Sequence, residues 1–293
     1  MGSTGLVGTA LCRSLREHGV AVTAYSRGHV SGDSERAHWD PEHGEIDTAP
    51  LAEADAVVNL AGESIAGARW TRARRERLQR SRVHSTRLLV RTLSHLPRRP
   101  AVLVNASAVG YYGDSGDDTV TEQSPVGEGF LSALCQEWEA TALGATEFGT
   151  RVVLARFALV LARQGGALST LLPLFRMGLG GQLGSGQQYF PWITLRDAVR
   201  ALRFVMATPT IHGAVNIVAP EPTRNAEFAA ALGAALGRPA VMRVPKVALR
   251  LALGEAANEL LLAGACARPG VLEQTGFRFD YPRLADALQA ILD

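Results

Sequence analysis

The sequence predicts an α/β protein built on a doubly wound parallel sheet, with a smaller α/β region behind it. Two observations carry this. Between residues 20 and 157, short apolar runs alternate with helical periodicities, the pattern of βα units feeding one parallel sheet. The chain also opens on Gly2-Ser3-Thr4-Gly5-Leu6-Val7-Gly8, a glycine triplet leading straight into helical spacing. A third observation qualifies both: only Met1 precedes Gly2, where such a fold begins with a buried strand. The first strand is therefore expected to be missing, which leaves neighbouring N–H and C=O groups without a ladder. The natural polypeptide is accordingly expected to begin several residues upstream.

Leu6, Val7, Ala10, Leu11 and Leu15 recur at helical spacing, and Gly19 offers the stop. A glycine turn at a helix N-terminus presents backbone N–H groups and the positive end of the dipole to a phosphate. Gly2 then permits the tight turn, Gly5 the approach of a pyrophosphate and Gly8 close packing of helix on sheet. Ser3, Leu6 and Val7 complete the cradle. The alternative is a frayed glycine-rich tail. Residues 20–25 read as a strand ending in Ser26-Arg27, about 20 residues past the glycines, where the ribose of a dinucleotide falls. Arginine there suits a 2′-phosphate, so Arg27 argues for NADP(H) over NAD; the alternative is a solvated loop arginine. Residues 37–40 form a short further strand with Asp40 near the adenine. Residues 55–62 run as an apolar strand into Asn59-Leu60-Ala61-Gly62, small enough to let a cofactor lie against the backbone, or else simply a turn.

Seven arginines lie between Arg69 and Arg82, interleaved with Glu76 and carried on a helical apolar stripe. A solvated helix face is the preferred reading over a nucleic-acid patch, with Arg69 or Arg82 available for a substrate phosphate. A buried strand at 101–107 leads to Ser107 and then to Tyr111, Tyr112 and Gly113; a loop over 114–129, a helix over 130–142 and a strand over 151–156 follow. From about Gly165 the glycine content rises and no second fingerprint occurs. Two regions are therefore expected: a nucleotide-binding domain over 1–164, and a substrate region over 165–293 with a strand near 214–218 returning to the first sheet. Within the second, helices are expected at 168–177, from Asp197, near Ala226 and over 249–263. Phe190 and Trp192 read equally as core or as a stacking platform for substrate.

The 293 residues are 47% hydrophobic and 20% charged with a net charge of +2, ordinary globular values that give no footprint for nucleic acid or a membrane surface. Cys12, Cys135 and Cys266 are isolated, so neither a metal site nor a disulfide framework is expected. No signal-like segment and no apolar run of membrane-spanning length occurs, and a cytoplasmic protein is expected. Lys246 is the only lysine.

The order of these segments resembles the extended short-chain dehydrogenase/reductase superfamily over essentially the whole chain. The carrying motifs are the glycine loop, Asn59-Leu60-Ala61-Gly62, Ser107 with Tyr112-Gly113, Trp192-Ile193 with Asp197, and Gly237-Arg238-Pro239. More narrowly it is similar to the atypical "epimerase family protein" branch, through Trp39-Asp40-Pro41, Arg69-Trp70-Thr71, Ser81-Arg82, Trp138-Glu139, Phe190-Pro191-Trp192-Ile193, Asn225 to Phe228 and Gly276 to Phe279. The resemblance implies a Rossmann fold holding NADP(H) through Gly2, Ser3, Gly5, Leu6, Val7, Ser26, Arg27 and Asn59, Leu60, Ala61, Gly62. It also implies a small-molecule substrate of nucleotide-sugar type and a homodimer.

The superfamily's chemistry rests on Ser, Tyr and Lys, with Tyr-x-x-x-Lys on one helix. Counting from Glu139, the tyrosine position falls near Phe130 or Leu131 and the lysine position at Cys135; no Tyr-x-x-x-Lys exists in the chain. Tyr/Lys catalysis is thereby excluded. Ser107, Tyr111 and Tyr112 remain as catalytic candidates, Cys135 reads as packing, and Glu122 as shaping its loop. The expected function is an NADP(H)-binding oxidoreductase or epimerase-like enzyme. The rival is a non-catalytic NADP-binding regulatory or interaction protein.

Overall fold

The computed structural model describes residues 1–27, 35–66 and 69–293. Gly2 takes φ +74°, so that the chain turns at once from Met1 into α1 (Leu6–Glu17). The next elements are β1 (Ala24–Ser26), β2 (Arg36–Asp40), β3 (Glu45–Ile46), α2 (Ala49–Glu53) and β4 (Ala56–Asn59). Then come α3 (Arg72–Gln79), which passes through a π-helical turn into α4 (Ser85–Ser94), and β5 (Val102–Ala108), β6 (Thr119–Val120), α5 (Phe130–Leu143) and β7 (Arg151–Phe157). The remainder is β8 (Leu159–Leu161), α6 (Gly166–Arg176), β9 (Gly181–Leu183), β10 (Trp192–Thr194), α7 (Leu195–Ala207), β11 (Gly213–Ile217), α8 (Asn225–Ala235), β12 (Met242–Val244), α9 (Lys246–Leu253), β13 (Cys266–Ala267), α10 (Gly270–Gln274) and α11 (Leu284–Leu292).

The central sheet has the order β11-β7-β5-β4, all parallel. Strand alternation sends Val102 and Val104 of β5 toward α1 and α7, where they meet Leu11, Ala198, Leu202 and Val205. Leu103 points the other way, toward Leu89 and Leu93 of α4 and Ala142 of α5. Helices thus cover both faces, as apolar runs without polar alternation require. Behind this sheet, α6, α8 and α11 close a second core around Leu172, Phe175, Phe228 and Leu288, with β9 and β12 paired in parallel at its edge. Among the described residues no helix is long and apolar enough to cross a membrane.

β1 pairs with β2 and belongs to a separate three-stranded sheet, not to the central one. Between β1 and β4 runs a cavity of about 1240 Å³, lined by Val20, Val22, Tyr25, Leu51, Val57 and Leu11 among others. Met1 sits at its end and begins a parallel ladder: its amine donates to Val58 O at 2.7 Å, and Leu60 N donates to Met1 O at 3.2 Å. The strand expected over 20–25 shrinks to Ala24–Ser26, because residues 20–23 border the cavity and have no ladder on that side.

Two further expectations are corrected. The helix over 249–263 is broken: α9 ends at Leu253 before Gly254 at φ +63°, and a separate π-helical turn spans Asn258–Leu262. A glycine in the left-handed region ends a helix at little cost, which explains the break. Trp192 is fully buried and its indole N–H donates to Thr223 Oγ1 at 3.0 Å. It is a core residue, and Phe190 packs edge-on against Phe228 beside it, so the stacking platform is not formed.

Candidate cofactor groove and active site

The cofactor candidates converge on the carboxyl ends of β1 and β4. Parallel strands bring these ends to one side of a sheet, and ligands of doubly wound folds bind there. A Cβ on Gly2 would fall 2.6 Å from the carbonyl of Leu60, and one on Gly8 would fall 2.1 Å from Gly2 O. These two glycines are therefore demanded by the fold itself. Gly5 differs: nothing in the protein crowds it beyond Gly2 O at 3.4 Å, and it caps α1. No side chain caps that helix, and no acidic residue occupies its first turn. The N–H groups of Leu6 and Val7 thus sit at an electrostatically positive terminus with no competing carboxylate.

A groove of about 570 Å³ opens from this turn, lined by Ser3, Thr4 and Arg13 on one side and by Ser26 and Arg36 on the other. Arg27 follows Ser26 and is exposed. Ser3 Oγ donates to Tyr25 O at 3.3 Å, which fixes the glycine turn to β1. The lining of the groove sets Arg13, Arg16 and Arg36 among Glu17 and Glu35, and Arg16 pairs with Glu35 at 3.0 Å. Asn59 is placed differently from the expectation. Its side chain is fully buried, donating to Thr86 Oγ1 at 3.0 Å and Asn105 Oδ1 at 2.7 Å while accepting from Ala61 N at 3.3 Å. It holds the turn, while Leu60, Ala61 and Gly62 follow it; a Cβ on Gly62 would lie 3.3 Å from the guanidinium of Arg82, which would have to shift by a few tenths of an ångström.

The catalytic candidates lie beside each other beyond β5. Ser107 is buried and its hydroxyl donates to Glu139 Oε1 at 2.6 Å. Arg156, at the end of β7, grips the same carboxylate side-on, Nε to Oε1 at 2.8 Å and Nη2 to Oε2 at 2.7 Å. Its Nη1 donates to the hydroxyl of Tyr112 at 2.8 Å, and that hydroxyl donates to Asn216 Oδ1 at 2.7 Å. Burial pushes the Tyr112 phenol up to about 12, although Arg156 opposes the rise. Burial also works against the charge of Arg156, but its bonds to Glu139 override that and hold the guanidinium firmly protonated. The Tyr111 ring lies over the same guanidinium at 3.5 Å. Its hydroxyl makes no hydrogen bond among the described residues, and the side chain is half-buried. One arginine therefore joins all three candidates. Ser107 and Tyr112 have their hydroxyls committed; Tyr111 does not.

Glu139 and Arg156 are the residues the sequence reading did not single out as functional. A signal existed: Glu139 on a helix and Arg156 at a strand end are charges set among apolar neighbours. Leu131 and Cys135, at the positions where the superfamily carries Tyr and Lys, are packed. Leu131 lies under Gly110, whose Cβ would meet it at 3.3 Å, and Cys135 is buried, its thiol pushed up to about 11 by burial and by Glu139.

The arginine-rich helix presents Arg72, Glu76, Arg77 and Arg80 to solvent, as expected of a solvated face, while its other arginines are engaged. Arg74 pairs with Glu63, Arg75 with Glu255, and Arg72 with Glu76 at 2.9 Å. Arg69 donates to the carbonyls of Leu251 and Ala252, and buried Arg82 donates to Glu63 O at 2.9 Å. Glu122 accepts from the backbone of Asn216 and Val271, which joins its loop to β11. Asp40 holds His43 at 2.9 Å at the end of β2. Among the described residues no group of three His, Cys, Asp or Glu side chains is placed to hold a metal ion.

Comparison with known proteins agrees with this architecture. Residues 1–217 match the model of the NAD dependent epimerase/dehydratase family, and residues 244–291 match a domain of unknown function, DUF1731. An epimerase family protein of Mycobacterium tuberculosis is 46% identical over 287 residues, covering 98% of this chain and 94% of its own length. The crystal structure of human epimerase family protein SDR39U1 with NADPH superposes with a TM-score of 0.89 at 36% identity, over 99% of this chain and 97% of that one. A nucleoside-diphosphate sugar epimerase of Corynebacterium glutamicum superposes at 0.82 with 31% identity, over 99% of this chain and 57% of its own. With the glycine turn, the parallel sheet and the whole-length likeness in agreement, the chain belongs to the NAD-dependent epimerase/dehydratase family, in the branch that includes SDR39U1.

Proposed function

We propose that this protein binds NADP(H) and acts as an oxidoreductase or epimerase-like enzyme on a small substrate of nucleotide-sugar type. The observation that carries the reading is the uncapped N-terminus of α1 over Gly5, facing a groove bordered by Ser3, Thr4, Ser26 and Arg36. The NADPH in the SDR39U1 crystal structure supports it. Gly5, Leu6 and Val7 would hold the pyrophosphate through backbone N–H groups, and Ser26 and Arg27 the 2′-phosphate. Leu60, Ala61 and Gly62 would flank the nicotinamide half. When bound, the cofactor supplies hydride chemistry.

The protein's own share is positioning and proton handling. Tyr111 carries the uncommitted hydroxyl and is the group to exchange a proton with the substrate oxygen. Arg156 keeps a fixed positive charge under its ring. Ser107 and Tyr112 hold Glu139 and Arg156 in place and keep water from them.

Side-by-side titration with NADPH and NADH, followed by nicotinamide fluorescence, tests the cofactor. Selective NADPH binding is expected, and Arg27→Ala should weaken NADPH about ten- to hundredfold, the worth of a hydrogen bond to a charged group, while sparing NADH. Equal affinity for both nucleotides would refute the 2′-phosphate assignment.

A second reading is favoured by the packed Leu131 and Cys135: a non-catalytic NADP-binding regulatory protein. Tyr111→Phe, Ser107→Ala and Tyr112→Phe separate the two. An enzyme loses turnover with NADPH binding retained, whereas a regulatory protein turns over no carbonyl or sugar-nucleotide substrate before or after the change.

A further inference from the structure

We infer that the edge of the C-terminal region is a docking face for an anionic phospholipid bilayer. The face starts at β12. Val241 and Met242 are exposed, and Met242 pairs with Gly181 while its N–H donates to Gly180 O at 3.2 Å. That ladder sets them beside Met177 and Leu179, which are 64% and 53% exposed. Two residues past β12 the chain enters α9, a helix with no buried side chain. Val247 and Leu251 lie one turn apart on its outer side at 65% and 69% exposure. Surface residues this apolar normally occur singly; several on one short stretch mark an interaction site.

The charge pattern selects the occupant. No Asp or Glu occurs in residues 148–196 or 228–254. The same stretches place Arg176, Arg238, Arg243, Lys246 and Arg250 around the apolar side chains, all five exposed. Arg250 donates to the neutral side chain of Asn258 at 2.8 Å and forms no ion pair among the described residues. Nearby carboxylates are committed elsewhere: Glu255 to Arg75, and Glu259 to the N–H groups of Phe130 and Leu131 at the start of α5.

A second copy seated on this face would bring two cationic rims together, which opposes a symmetric dimer. An anionic bilayer answers both features at once. Aliphatic side chains on one side of a short helix enter the headgroup boundary, and flanking Lys and Arg extend their stems to lipid phosphates.

The test is cosedimentation of the full-length protein with vesicles of phosphatidylcholine alone or mixed with phosphatidylglycerol. Pelleting only with the mixed vesicles is expected, weakening as salt rises. Replacing Lys246→Gln together with Arg250→Gln should lower the partition coefficient about 25-fold, near fivefold per cation. Val247→Ser with Leu251→Ser should abolish pelleting at unchanged thermal stability, since neither side chain is buried. Equal pelleting with both vesicle types, or with neither, overturns the inference. A concentration-dependent dimer lost in the Leu251 variant would assign the face to a second copy and overturn it as well.

Discussion

Replacing Glu139 by glutamine should destabilise the protein far more than a surface change would. The Glu139 carboxylate accepts from Arg156 Nε at 2.8 Å and Nη2 at 2.7 Å and from the Ser107 hydroxyl at 2.6 Å, and both side chains of the ion pair are buried. The amide keeps the shape of the carboxylate and removes its charge, so the guanidinium is left buried without its counter-ion, at a cost of about 3–5 kcal/mol. In urea that is a midpoint shift of about 1–2 M, for a slope of about 3 kcal/mol/M. Arg156→Met in the same background removes the stranded charge and should recover most of the loss. A loss under about 1 kcal/mol, the range of an exposed pair, or no recovery in the double variant, would refute the buried clamp.

Other expectations follow from the site. Gly8→Ala drives a Cβ to 2.1 Å from Gly2 O, so about 1–3 kcal/mol of stability should be lost, together with NADPH affinity. In native thiol labelling, Cys135 should stay unmodified while Cys12, only partly covered, reacts. Labelling of Cys135 at a rate matching Cys12 would contradict a buried thiol held at about 11.

What was readable in the sequence, and what was not, divides by the range of the interaction. The glycine turn is local, and its requirement for positive φ and close approach is written in residue type at Gly2 and Gly8. The alternation of apolar strands and helices is also local and placed β4, β5, β7 and α5 within a residue or two. Residues 20–23 carry strand composition, yet they line the cavity between β1 and β4 and pair with no strand among the described residues. Arg82 looks like its exposed neighbours in sequence, but the helix turns it inward beneath Gly62, over the ring of Trp138. The Glu139–Arg156 clamp joins a helix to a strand end, and nothing in the spacing announces the pairing. Trp192 was ambiguous because an aromatic in a turn-rich segment serves a core and a ligand equally well.

The pairing of β11 with β7 bears on how the chain is made. Val215 and Ile217 are fully buried against β7, although they lie more than fifty residues beyond it in sequence. During synthesis the first 164 residues thus leave the ribosome with one face of β7 lacking its partner, an open edge that invites pairing with other chains. Cutting the gene at that point would freeze the same unfinished state. Residues 1–164 thus lack a strand of their own sheet, which β11 supplies from beyond them.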